Sequence, residues 1–140
     1  MKKSTLIGSL LLATIAASAF AASPASERRT VFKHYKQSLG SMNKMLNAGS
    51  FDQAQFAAAA KSLEAEAHTP WQYFPAGSST RDTKPEIWSN PQGFKQASDD
   101  FERKVSKLNQ VAAAGDVNQV RASFREVQQS CKACHDKFRN

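Results

Sequence analysis

The chain's two cysteines stand three positions apart in Cys131-Lys132-Ala133-Cys134, and His135 follows directly. Thiols at that spacing project from one face of a helix, where both can add to the vinyl groups of a single porphyrin as thioethers. His135 lies one turn after Cys131, so its imidazole shares that face and can ligate the iron from the proximal side. This is the pattern of covalent attachment of one haem c per chain. Three other chemistries use the same residue types. A structural zinc ion wants four ligands, usually as two pairs, and His34 and His68 are too scattered to supply the second pair. A reactive dithiol normally sits at a helix N-terminus, whose dipole favours thiolate, in a βαβ setting. A disulfide here would bridge almost no loop and leave His135 without a task.

The elements that must position this motif are helical. No alternating β-branched run exceeds a few residues, whereas helical spacing recurs four times. The first helix is expected to start at Ser23-Pro24 and to end at Gly49, with an inward stripe of Arg28, Phe32, Tyr35, Leu39, Met42 and Leu46. Ser50 and Gln53 suggest a capping box for a second, alanine-rich helix that runs to about Ala67. It carries Phe56, Ala60, Leu63 and Ala67 on one side, and its small side chains allow another helix to approach closely. Residues 68–84 form one long irregular segment, whose Trp71, Tyr73 and Phe74 argue for burial over disorder. A short turn at Pro85-Glu86-Ile87-Trp88 follows, with Thr83 as its expected cap. A third helix spans Asn90-Pro91 to Gly115, with Phe94, Phe101, Val105, Leu108 and Ala112 inward. The fourth starts at Asp116 and runs to about Arg139, with Val117, Val120, Phe124, Val127, Cys131, Cys134 and Phe138 on its stripe. Short connections favour antiparallel neighbours, so the expected fold is all-α, an antiparallel up-down four-helix bundle.

The chain has 140 residues, 19 Lys+Arg against 12 Asp+Glu, and a formal charge of +7. That length fits one domain and makes a multidomain enzyme a poor reading. Acidic residues interleave with the basic ones, so no nucleic-acid stripe stands out. Met1-Lys2-Lys3, the apolar run from Leu6 to Ala17 and the small-residue site Ala19-Phe20-Ala21 have the three-part form of a secretory signal. Cleavage after residue 21 is expected to leave a periplasmic protein with no membrane segment.

In an up-down bundle the end of the fourth helix lies beside the start of the first. The side chain facing His135 across the haem should therefore come from residues 28–35. Arg28, Phe32 and Tyr35 occupy that stripe, and none is a strong neutral iron ligand. Met42 lies roughly 15 Å further along the axis, at 1.5 Å per residue, and Met45 further still. The expectation is a five-coordinate iron whose open side is covered by Phe32. Arg28 is placed to meet a haem propionate through its fork, with Arg29 as a neighbouring candidate and Lys84 for the other propionate. Trp71 and Phe74 are expected as pocket walls, and Arg139, four residues after His135, beside the proximal imidazole. His34 and His68 read as surface histidines.

A helical chain ending in Cys-Lys-Ala-Cys-His-Asp-Lys-Phe-Arg, with Trp-Gln-Tyr-Phe-Pro and Pro-Glu-Ile-Trp segments before it, resembles the cytochrome c′ family, the class II c-type cytochromes. The resemblance implies high-spin five-coordinate haem, usually in a homodimer formed through the first two helices. It also implies a distal shield at Phe32, a propionate contact at Arg28 and a basic neighbour of the proximal histidine at Arg139. Two functions are then open: capture of small gases such as NO and CO, or dedicated one-electron transfer to an unidentified redox partner protein. A peroxidase-type enzyme would want a distal His or Arg, and Phe32 supplies neither.

Overall fold

The computed structural model describes residues 22–140; the expected secretory segment lies outside them. Four long helices, α1 (Pro24–Asn47), α2 (Gln53–Glu66), α4 (Pro91–Ala114) and α5 (Val117–Phe138), form the bundle. A 3-10 turn (Thr69–Tyr73) and the one-turn α3 (Glu86–Ser89) interrupt the segment between α2 and α4. Their ends are set by local chemistry. Ser23 caps α1 by accepting from the Ser26 amide, and Pro24 in the first turn has no N–H to leave unpaired. Asn90 and Asp116 cap α4 and α5 in the same way. Gly115 closes α4 in the left-handed region at φ 87°, where a side chain would be strained.

Two expected caps are corrected. Asp52, and not Ser50, caps α2, accepting from the Gln55 amide at 3.0 Å. Gln53 does not reach back to close a box. Its amide instead donates to the Ala112 and Ala113 carbonyls, left without partners where α4 ends. Thr83 does not cap α3, which has no side-chain cap. The Thr83 hydroxyl turns back on Thr80, donating to its carbonyl and accepting from its amide, both at 2.8 Å.

Side-chain bonds between helices give their directions. Gln53 opens α2 and meets the end of α4; Arg121, near the start of α5, donates to the Leu46 carbonyl at the end of α1. Each pair is therefore antiparallel. α4 packs closely on both α5 and α2, and α1 packs on α2 and the 3-10 turn. The core that results is apolar, with Met42, Phe56, Leu63, Leu108, Val105 and Val127 almost wholly buried. α1 and α5 approach each other little, and the site lies in the space between them. No described helix is long and apolar enough to cross a membrane.

Candidate haem-binding site

The last turns of α5 present Cys131 and Cys134, both half-buried free thiols, and the more exposed His135. All three border a cavity of about 560 Å³. Across it, α1 contributes Arg28, Phe32, Tyr35 and Leu39. The aromatic segment and α4 close the inner end through edge-on ring contacts: Phe32 to Trp71 at 6.0 Å, Phe74 to Phe94 at 4.9 Å and Phe94 to Phe138 at 5.3 Å. Apolar walls with a few convergent polar groups are the form of a cofactor cavity.

Electrostatics bear on the reactive-dithiol reading. Burial pushes the Cys131 thiol up to about 11, with the nearby Cys134 adding to the shift and a backbone hydrogen bond opposing it. Burial also raises Cys134, against the pull of Lys137. Neither is a ready thiolate at neutral pH, unlike the activated cysteine of a redox dithiol. Burial holds His135 below the ordinary imidazole range, the Arg139 charge adds to this, and Asp136 opposes it. Its neutral form, the one that ligates a metal, is therefore favoured. Among the described residues no three His, Cys, Asp or Glu side chains gather as a cage for a metal ion.

The predicted site residues take distinct places. Phe32, Trp71, Phe74, Arg28, Arg29 and Arg139 line the cavity together with the Cys-Cys-His motif. Lys84 does not: its ammonium donates to the Asp136 carbonyl at 2.9 Å, at the end of α5. Arg28 is buried and holds the aromatic segment, donating through Nη1 to the Tyr73 carbonyl and the Ser78 hydroxyl, both at 3.0 Å, and through Nη2 to the Ser78 carbonyl. Its guanidinium also lies 4.8 Å over the Phe74 ring. His34 and His68 are exposed and off the cavity wall. Met42 belongs to the core and does not border the cavity.

Sequence reasoning missed the brace beneath the motif. Thr83 and Arg139 form an antiparallel bridge, the Lys84 amide donates to the Phe138 carbonyl, and Asn140 reaches Asp82 and Arg81. Nothing in residue type marks these backbone contacts; only the proximity of two chain segments creates them.

The cavity suits a haem on evidence of its own. The Trp71 indole N–H is buried on its wall with no hydrogen-bond partner among the described residues. A buried unpaired donor is costly, and an acceptor on a group filling the cavity would satisfy it. The donor set of two thiols and a neutral imidazole on one wall matches the two thioethers and one axial bond of haem c.

Comparison with known proteins agrees. The family model described as Cytochrome C′ matches residues 23–139. Cytochrome c′ of Alcaligenes xylosoxydans xylosoxydans is 42% identical over 89 residues, covering 64% of this chain and 70% of that protein. Cytochrome c′ of Halomonas halodenitrificans is 30% identical over 123 residues, covering 76% and 93%. A solved cytochrome c′ superposes with a TM-score of 0.80 at 36% identity, over 86% of this chain and 99% of that one. The nitric oxide complex of a point mutant of cytochrome c prime from Alcaligenes xylosoxidans superposes equally well, at 0.80 and 35% identity, over 86% and 98%. A carbon monoxide-bound variant from the same source gives 0.80 at 34% identity, over 84% and 94%.

Proposed function

The chain belongs to the cytochrome c′ family of non-enzymatic haem proteins, and on that premise we propose that it is a periplasmic, homodimeric haem c protein that takes up NO or CO. Cys131 and Cys134 would tether the haem and His135 would ligate its iron. When bound, the group would supply a redox-active iron able to take a small ligand.

One observation carries the reading. The wall opposite His135 offers Phe32, and neither a methionine nor a second histidine lines the cavity. Tyr35, the other polar group on that stripe, is turned away, its hydroxyl donating to the Glu66 carbonyl at 2.6 Å. Phe32 has no lone pair to give a metal. Packed edge-on against Tyr35, Trp71 and Phe74, it leaves a dry approach that favours small uncharged gases over water and anions. Arg28, with Arg29 at the rim, would face the propionates; Arg139 stands beside the imidazole. The complexes of NO and CO with similar proteins support the choice of ligand.

Titration of the ferrous protein with NO and CO tests this. A new spectrum that saturates with each gas is expected. A spectrum unchanged by either, because a side chain already fills the sixth position, would end the gas reading and leave dedicated electron transfer.

A further inference from the structure

The rim of the cavity is strongly one-signed. Arg29, Lys33 and Lys36 border it from α1, and Arg139 from the end of α5. All four are exposed, and none forms an ion pair among the described residues. Asp82 is the one acidic residue lining this cavity, and it is paired with Arg81 at 3.6 Å. Elsewhere some of the charge is paired: Lys95 and Lys104 hold Asp99 and Asp100 on α4, and Lys107 holds Glu126.

Positions 29, 33 and 36 follow helical steps of four and three, so they form a single stripe beside the cavity-lining stripe of Phe32 and Leu39. The next position on it is Gly40, exposed and with open space where a side chain would stand. Gly40 and Asn43 face Gln128 and Lys132 across a second, open groove that reaches Cys131 and His135. Lys132 in that groove is neutralised by Asp136 at 2.6 Å. Uncompensated positive charge therefore leads to a shallow approach to the attachment residues.

We propose that the stripe Arg29-Lys33-Lys36, with Arg139, is the docking surface for an acidic one-electron carrier protein. The inference rests on the haem assignment above, though not on gas uptake. Uncharged gases have no use for such a rim, and of the propionate donors only Arg29 belongs to it. From Arg29 to Lys36 the stripe runs about 10 Å at 1.5 Å per residue, more than one small anion spans. A carrier with clustered carboxylates would be steered to the cavity edge, where a haem held by Cys131, Cys134 and His135 would give one electron to the carrier's oxidised metal, with no atom or proton transferred.

The test uses oxidised acidic plastocyanin as probe and the haem-loaded protein in wild-type, Lys33→Glu, Lys36→Glu and Arg125→Glu forms. Arg125 is exposed on α5, outside the cavity, and its reversal changes net charge equally. Binding is read by anisotropy of dye-labelled plastocyanin, and oxidation of the ferrous protein by stopped flow. At low ionic strength the two α1 variants should each lose about tenfold in affinity and in bimolecular rate, and Arg125→Glu much less, with all differences vanishing in high salt. Equal losses in all three variants, or none, would overturn the proposal. So would phosphatidylglycerol vesicles that bind wild type but not the α1 variants while plastocyanin binding stays unchanged, since the stripe would then serve a lipid surface. An unaltered ferrous spectrum in each variant keeps the haem assignment separate from this outcome.

Discussion

Phe32 and Arg28 sit one turn apart on α1, yet they do different work. Phe32 packs edge-on among its aromatic neighbours and is proposed as the steric gate. Phe32→Ala should raise the CO association rate by about tenfold, equivalent to lowering the barrier by about 1.4 kcal/mol. Flash photolysis reads this directly, and unchanged kinetics would remove Phe32 from the distal side. Arg28 looked from sequence like a residue for a propionate; the structure adds that it pins residues 73–78 to α1. Arg28→Leu should therefore cost about 2 kcal/mol or more in denaturant unfolding, since hydrogen bonds from a charged donor are lost in a buried place. It should also speed amide exchange in that segment, whereas a residue serving a propionate alone would leave exchange there untouched. The motif at 131–135 and the cavity stripe of α1 were legible because spacing on a helix dictates direction. The partners of Arg28 were not, because Tyr73 and Ser78 offer mainly backbone carbonyls, which every residue has.

Among the elements, helix bounds followed from caps and stripes, and the errors came where several capping residues competed. Ser50, Asp52 and Gln53 all lie at the start of α2, and the carboxylate won. Asp52→Ala should cost about 1 kcal/mol of stability, while Ser50→Ala should leave the unfolding midpoint nearly unchanged. Equal effects would return the cap to Ser50. α1 and α2 are also joined by the Tyr35 hydroxyl on the Glu66 carbonyl. Burial holds the Tyr35 phenol above its ordinary value, with the charges of Glu66, Glu102 and Cys131 adding to the rise. Above pH 10 the unfolded chain then releases a proton that the folded one keeps, so stability falls with rising pH. Tyr35→Phe should cost about 1–3 kcal/mol at neutral pH and flatten that alkaline decline; urea midpoints from pH 8 to 11 give both. The brace of residues 80–84 on the end of α5 was hidden from sequence, since a one-residue bridge has no periodicity to detect.

The whole molecule is a bundle left open on one side. All four long helices contribute to the core, α1 through Tyr35, Met42 and Leu46, while α1 stands off from α5 along the cavity. A segregation of this kind makes apparent sense of a half-polar sequence: the stripe of α1 is buried at Met42 and Leu46 yet only partly covered at Phe32 and Leu39. Periodicity revealed the face but could not tell core from cavity, because both are lined by the same side chains. The exposed small residues of α2 suit close approach of a second copy, and sedimentation equilibrium should give a dimer; a monomer at every concentration would refute that assembly. Gas uptake and electron exchange alike require a haem attached at Cys131 and Cys134 and ligated by His135 alone. The absorption spectrum of the purified ferrous protein, made in a host able to mature c-type cytochromes, reads that state. Broad, unsplit bands of high-spin five-coordinate haem are expected; sharp split bands of a six-coordinate low-spin iron, or no haem spectrum at all, would overturn the assignment.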